Sequence, residues 1–325
     1  MFIGVSRERS SCLKRCNLVS LRVVFLGTGG SVPTSNRGLP AILIQRKGEQ
    51  ILFDCGEGVQ RQMIKSKGSF HKKTRIFVTH MHGDHVLGLP GLLQTMALLD
   101  RQKMLEIYGP VGIKHFLECL KETVQFVLTF QIEVHEVEKA GTVLDEEEYY
   151  IEAVKSNHVM PSFAYAFVEK PRPGRFYPQK ARKLGVPEGP LWSQLQKGIK
   201  VRLPKGQFIH PKDVSGPFRM GRKIVYTGDT RPFRVFTEFA EGADLLIHDA
   251  TLDDGLADRA EEDGHSTPSQ AAETAKKAKA KQLILTHISA RYDDTSLLLK
   301  QAKKIFKNVK VAEDFLEIEI SLPES

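Results

Sequence analysis

Short apolar segments that run straight into residues capable of chemistry recur along this chain. That repeated arrangement limits its fold more than any other feature. Residues 21–26 (LRVVFL) lead into Gly27-Thr28-Gly29-Gly30-Ser31, residues 51–53 into Asp54, and residues 75–78 into Thr79-His80-Met81-His82-Gly83-Asp84-His85. Residues 223–226 lead into Thr227-Gly228-Asp229, residues 244–247 into His248-Asp249, and residues 282–285 into Thr286-His287. Near-continuous apolar runs mark strands covered on both faces. Polar groups at their ends collect at one edge of the sheets, where loops build sites. Helical patterns lie between them, over residues 89–99, 111–120 and 296–306. A further helix opens at Thr267, with Pro268 in its first position and Gln270 three residues after the cap. Buried strands with helices outside make an α/β layered fold.

Composition removes several alternatives. Four cysteines in 325 residues (Cys12, Cys16, Cys55, Cys119) exclude a disulfide scaffold, and no C-x-x-C pair is present for a zinc ribbon. A reducing cytoplasm is the expected setting. No apolar run is long enough for a membrane-spanning helix. The first twenty residues carry Arg7, Arg9, Lys14 and Arg15 without the apolar core of a secretory signal. The net charge of +8 is concentrated: residues 170–205 hold ten lysines and arginines against Glu188 alone, which is +9 and leaves the remainder near neutral. Six of the sixteen prolines lie in the same stretch, so regular secondary structure is not expected throughout it. Phe176, Tyr177 and Trp192 stand among the charges. A basic arm with interleaved aromatic residues suits a phosphate backbone.

The chemistry centres on histidine. His80, His82 and His85 stand with Asp84 in an H-x-H-x-D-H cluster. Imidazoles bind zinc and its neighbours well, and a carboxylate neutralises charge. In an extended segment residues i and i+2 point the same way, so His80 and His82 can reach one ion. Gly83 then permits a tight turn that aims Asp84 and His85 at a second. Completing both ions takes His158, Asp229 and His287 from later in the chain. We expect His80, His82, His158 and Asp229 around one ion, and Asp84, His85, His287 and a shared Asp229 around the other. His248 sits beside Asp249, and a carboxylate-tuned histidine is a candidate general acid. His265 reads as part of a loop leading into a helix. His71, His115, His135 and His210 carry no assigned role.

An H-x-H-x-D-H cluster after a strand, followed by a distant His, then Asp, then His at strand ends, resembles the metallo-β-lactamase superfamily. That resemblance implies an αββα sandwich with two zinc ions at one edge. A narrower resemblance, over about residues 21–320, is to the ribonuclease Z family in its short form. It is carried by Phe25-Leu26-Gly27-Thr28-Gly29, Phe53-Asp54-Cys55-Gly56-Glu57-Gly58 and Leu87-Gly88-Leu89-Pro90-Gly91. Tyr226-Thr227-Gly228-Asp229-Thr230-Arg231, Gly264-His265-Ser266-Thr267 and Thr286-His287-Ile288-Ser289-Ala290-Arg291-Tyr292 extend it. The basic segment falls where that family has its tRNA-binding exosite, and Gly189-Pro190 looks like the family's Gly-Pro feature.

The resemblance implies a zinc-dependent endoribonuclease with two Zn2+ per subunit. It would remove the 3′ trailer from precursor tRNA, leaving a 3′-hydroxyl on the tRNA and a 5′-phosphate on the trailer. Asp84 would bind metal and orient the nucleophile, and His248 would assist the leaving oxygen. Thr28, Ser31, Arg37 and Arg291 are candidate substrate contacts, with Gly189 and Pro190 in the arm. A homodimer is expected and a membrane partner is not. Residues 1–20 form an N-terminal extension, 21–322 the catalytic domain, and 170–205 its inserted arm. Two departures from the family pattern stand out: His248-Asp249-Ala250-Thr251 replaces its His-Glu-Ala-Thr, and Pro33-Thr34-Ser35-Asn36-Arg37-Gly38 keeps the arginine but not the lysine or asparagine of its P-x-K-x-R-N loop. That loop is associated with rejecting CCA ends. The alternatives are a hydrolase of small phosphodiesters or thioesters in the same fold, and a catalytically silent tRNA-binding protein.

Overall fold

The computed structural model describes residues 20–204 and 206–322. The sequence expectations for the first nineteen residues and for Lys205 therefore lie outside the described residues. Two seven-stranded sheets carry the fold. In the first, the strands run in the spatial order Glu317–Glu319, Leu21–Gly27, Ala41–Arg46, Glu49–Phe53, Lys73–Phe77, Leu105–Pro110, Ile132–Val137. The second has the order Val309–Val311, Leu283–Thr286, Leu245–Asp249, Lys223–Tyr226, Phe163–Glu169, Tyr149–Lys155, Gly141–Asp145. Each sheet is part parallel and part antiparallel.

Alternation along the strands sorts side chains into layers. Val23 and Phe25 face inward, where they meet Phe53, Phe77, Tyr165, Phe167, Tyr226 and Ile247 in a core between the sheets. Val24 and Leu26 face outward, against the helices Val59–Lys65, Gly88–Leu98 and Ile113–Thr123. The second sheet is covered likewise by Arg234–Phe239, Pro268–Lys277 and Ser296–Lys303. The four layers are the αββα sandwich that the resemblance implied, and they realise the α/β layering expected from the apolar strands.

The basic segment differs from its expectation in two ways. It contains helices Pro178–Lys183, Pro190–Gln196 and Pro211–Val214 and a hairpin of Val201–Arg202 with Phe208–Ile209. The prolines are compatible with this because Pro178, Pro190 and Pro211 open helices, where a missing N–H costs nothing. Ala181, Val186, Leu195, Val201, Leu203, Ile209 and Val214 form a small core of its own, with Trp192 and Phe176 packed on it. The segment also runs beyond residue 205. The outgoing and returning chains pair at Arg172 with Arg219 and at Phe176 with Ser215.

The arm springs from the C-terminal end of Phe163–Glu169 and returns into the start of Lys223–Tyr226. The other ends of these two strands meet Thr79 and Asp229: the Phe163 N–H donates to the Thr79 carbonyl, and Tyr226 leads on to Asp229. The arm is thus rooted at the end of the sandwich opposite the histidine cluster.

Candidate metal centre

Seven side chains converge at that edge. Ligand atoms of His80, His82, His158 and Asp229 all lie within 4.8 Å of one another, as do those of Asp84, His85 and His287. One oxygen links the two groups. Asp229 Oδ2 is 3.7 Å from His80 Nε2, 3.3 Å from His85 Nε2 and 3.3 Å from His287 Nε2. The first sheet supplies His80, His82, Asp84 and His85, and the second supplies His158, Asp229 and His287. At Gly83 the chain turns tightly, as expected. Gly83 opens the short helix Gly83–Val86, which His82 precedes in extended conformation. Asp84 and His85 are carried on that helix.

Most of the imidazoles are held by one nitrogen and offer the other to the cluster. His85 Nδ1 pairs with Asp54 Oδ2 at 2.7 Å, His80 Nδ1 with Thr79 Oγ1 at 3.0 Å, and His287 Nδ1 with Thr251 Oγ1 at 2.7 Å. His158 Nδ1 donates to the Gly264 carbonyl at 2.8 Å. Asp54 is the main anchor. Its carboxylate also accepts the Thr79 N–H at 2.7 Å and the Tyr226 hydroxyl at 2.8 Å. Such outer partners fix ring orientation and tautomer at metal sites. Close approach needs space: a Cβ on Gly30 would lie 2.5 Å from the His287 ring, so only glycine fits there.

Electrostatics agree with a cation between these groups. His85 Nε2 and Asp229 Oδ1 are buried without a hydrogen-bond partner among the described residues. His80 Nε2 and His82 Nδ1 approach to 3.0 Å, with His158 Nε2 3.3 Å from the latter. Burial pushes His80 well below its ordinary value, helped by the neighbouring His85. Burial would also lower His85, but Asp229 and Asp54 outweigh it and hold that ring well above. Asp229 is desolvated, yet His287 and His85 keep it ionised, and Asp84 is held low by His287 against its own burial. Imidazoles and carboxylates are the ligands zinc takes, so the residues present fit that metal.

Other expected contacts are placed differently. His248 and Asp249 are neighbours on one strand, so their side chains point to opposite faces. Asp249 faces the metal edge. His248 is fully buried on the helical side, its ring 5.6 Å from that of Phe236, and Nδ1 donates to the Asp249 carbonyl. It does not reach the cluster. The histidine beside Asp249 is His265, whose Nδ1 is 3.0 Å from Asp249 Oδ2. Burial opposes a charge on His265, but Asp249 overrides it and brings the ring up to about 9. Its ring stacks on His287 with centroids 5.1 Å apart. The sequence signal for this pairing was the alternation along Leu245–Asp249, which makes the aspartate the inward residue.

Thr28 and Arg37 are also interior. Thr28 donates to Asp314 Oδ1 at 2.8 Å, while Arg37 Nη1 reaches Thr28 Oγ1 at 2.8 Å and the Ala312 carbonyl at 2.6 Å. They hold the loop in place and are not exposed to a substrate. Ser31 is exposed at the edge, and its N–H donates to Asp84 Oδ2 at 2.8 Å. Arg291 is exposed beside Ser289. Gly189 and Pro190 are exposed on the arm, away from the cluster.

Comparison with known proteins agrees with this architecture. A family model for the anti-Pycsar protein Apyc1 matches residues 21–172, and one for a β-lactamase superfamily domain matches residues 204–288. The stretch between the two matches is the outer part of the arm. Ribonuclease Z of Methanosarcina acetivorans is 50% identical over 301 residues, covering 92% of this chain and 98% of that protein. The enzyme of Methanothermobacter thermautotrophicus is 46% identical over 305 residues, with 94% and 98% covered. The crystal structure of the short form of human tRNase Z superimposes with a TM-score of 0.70 at 34% identity, over 93% of this chain and all of that one. YhfI from Bacillus subtilis, a metallo-β-lactamase-fold protein at 20% identity, shares the fold with a TM-score of 0.66. With half its residues identical to such a relative across nine-tenths of its length, and with the paired-ligand edge of this sandwich, the chain belongs to the ribonuclease Z family of the metallo-β-lactamase superfamily.

Proposed function

We propose that this protein removes the 3′ trailer of precursor tRNA by hydrolysing one phosphodiester bond. The convergence of seven donors from both sheets around Asp229 carries the reading. His80, His82, His158 and Asp229 would hold one zinc ion, and Asp84, His85 and His287, together with Asp229, would hold a second. When bound, such a pair neutralises the phosphodiester and acidifies the attacking water. Asp84, tied to the Ser31 N–H and to His287, orients that water and takes its proton. His265, held by Asp249 at Nδ1, presents Nε2 to the scissile bond. As the P–O3′ bond breaks, His265 gives its proton to the departing 3′ oxygen. The tRNA keeps a 3′-hydroxyl and the trailer a 5′-phosphate.

Residues 21–322 act as one catalytic domain, and the basic arm grips the body of the tRNA. Because the arm is rooted opposite the metal edge, it serves most directly the site of a second copy. The protein accordingly works as a homodimer. Light scattering should give twice the 36.5 kDa of one chain, and a mass of one chain that does not change with concentration would contradict this. No helix among the described residues is long and apolar enough to cross a membrane, and a precursor-tRNA substrate supports a cytoplasmic setting.

A labelled precursor tRNA tests the activity directly. Cleavage 3′ to the discriminator base should stop with a chelator and return with added zinc. Turnover of a chromogenic phosphodiester with none of precursor tRNA would sink the proposal.

A further inference from the structure

The two chain ends of the arm enter the sandwich beside a cluster of buried charge. Glu169 and Arg222 are 3% and 1% exposed. Arg222 takes the carboxylate in a fork, with Nε 2.7 Å from Oε2 and Nη2 2.7 Å from Oε1. Arg46, from the other sheet, adds Nε at 3.0 Å from Oε1. Arg222 Nη1 donates to the Ile320 carbonyl at 2.8 Å, and Ile320 in turn pairs with Leu21 of that sheet. Along the backbone, the Glu169 N–H donates to the Arg222 carbonyl, and Arg172 and Arg219 exchange hydrogen bonds at 2.8 Å. The paired chains are pressed together here. A Cβ on Gly221 would lie 2.0 Å from the Glu169 carbonyl oxygen, and one on Gly174 would lie 2.1 Å from that of Gly216.

Buried ion pairs contribute little net stability over apolar packing of the same volume. What a forked arginine–carboxylate pair does impose is a single relative orientation. We propose that Glu169, Arg222 and Arg46 are positioning residues for the substrate: they set the direction in which the arm leaves the sandwich. This rests on the reading of the arm as a tRNA-binding element. A folded tRNA is a stiff body touched in two places, by an arm and by an active site. Two contacts on one ligand reinforce each other only while their spacing fits it. An arm free to swing from its root forfeits that reinforcement without touching the chemistry.

Two variants separate the effects. Glu169→Gln keeps the shape and removes the charge, and Arg222→Lys keeps the charge and removes the fork. Each is made in the full chain and in a form whose residues 173–218 are replaced by a short Gly-Ser bridge. In the full chain, KM for precursor tRNA should rise about tenfold while kcat stays within about twofold. Turnover of a chromogenic phosphodiester should not change. In the arm-deleted form neither substitution should raise KM further, because the interaction it disturbs is gone. Unchanged KM in the full chain would overturn the proposal. So would equal losses on tRNA and on the small diester, which would make the cluster a general staple of the fold. If deletion of the arm itself leaves KM unchanged, the tRNA-binding reading fails and this proposal with it. If deletion raises KM and the point substitutions do not, only the positioning role fails.

Discussion

The proposed mechanism gives Asp84 two jobs; its Oδ2 lies 3.3 Å from His287 Nε2 and also accepts the Ser31 N–H. Asp84→Ala should abolish tRNA cleavage while leaving tRNA affinity within a few-fold, since the arm is untouched. Retained turnover above about a tenth of the parent rate would contradict the assignment. His265 and His248 offer a sharper contrast. His265→Ala should slow tRNA cleavage by about 10²–10⁴, the range for a lost general acid. It should spare a nitrophenyl phosphodiester, whose leaving group needs no proton. His248→Ala should lower the unfolding temperature and leave the folded enzyme close to parental in rate. The reverse pattern would restore His248 as the acid. The metal-facing residues were legible because each follows an apolar strand or lies in the H-x-H-x-D-H cluster. The pairing of His265 with Asp249 was not, because two adjacent acid–base residues, His248 and Asp249, occupy the strand end and only the pleat decides which faces inward.

Among elements, the helix Pro268–Lys277 shows what local sequence specifies completely. Thr267 caps it, Gln270 reaches back to the Thr267 N–H at 2.9 Å, and Pro268 opens it. The arm shows the opposite. Its charge is plain in the sequence, but its core is seven side chains scattered among lysines and prolines without a period, so its internal fold is not. The structure also moves its boundaries. Deletion of residues 173–218 joins chains that already pair at Arg172 and Arg219. That deletion should weaken tRNA binding most at low salt. Each neutralised phosphate adds about 0.7–0.9 to the salt slope of log affinity, so an arm making roughly four contacts accounts for a slope near −3. Turnover of a small phosphodiester should persist. An unchanged salt slope would refute the exosite.

For the whole molecule, the joint between sheets at the arm's root makes stability depend on acid. Burial would raise the Glu169 carboxyl, but hydrogen bonds from Arg222 and Arg46 and the charge of Arg222 bring it from 4.5 to about 2. A carboxyl lowered on folding stabilises the native state above its unfolded value and loses that contribution as pH falls through the folded one. Glu169→Gln should therefore be less stable than the parent at pH 7, and the gap should close as pH falls from about 4.5 towards 2. Denaturant titrations at several pH values measure it, and a gap independent of pH would show that Glu169 contributes no such linkage. The division of ligands between the sheets has a different consequence, one of timing. A chain made from its N-terminus carries His80, His82, Asp84 and His85 long before His158 and Asp229 are added. His287 comes later still, and Asp314, which pins the loop bearing Ser31 through Thr28 and Gly38, follows it. Since a metal site of this kind forms only as its ligands fold together, a half-made copy still on the ribosome has no complete centre. Surrounded by RNA throughout its own synthesis, the nuclease would become able to cut only once the segments bearing His287 and Asp314 have joined the rest.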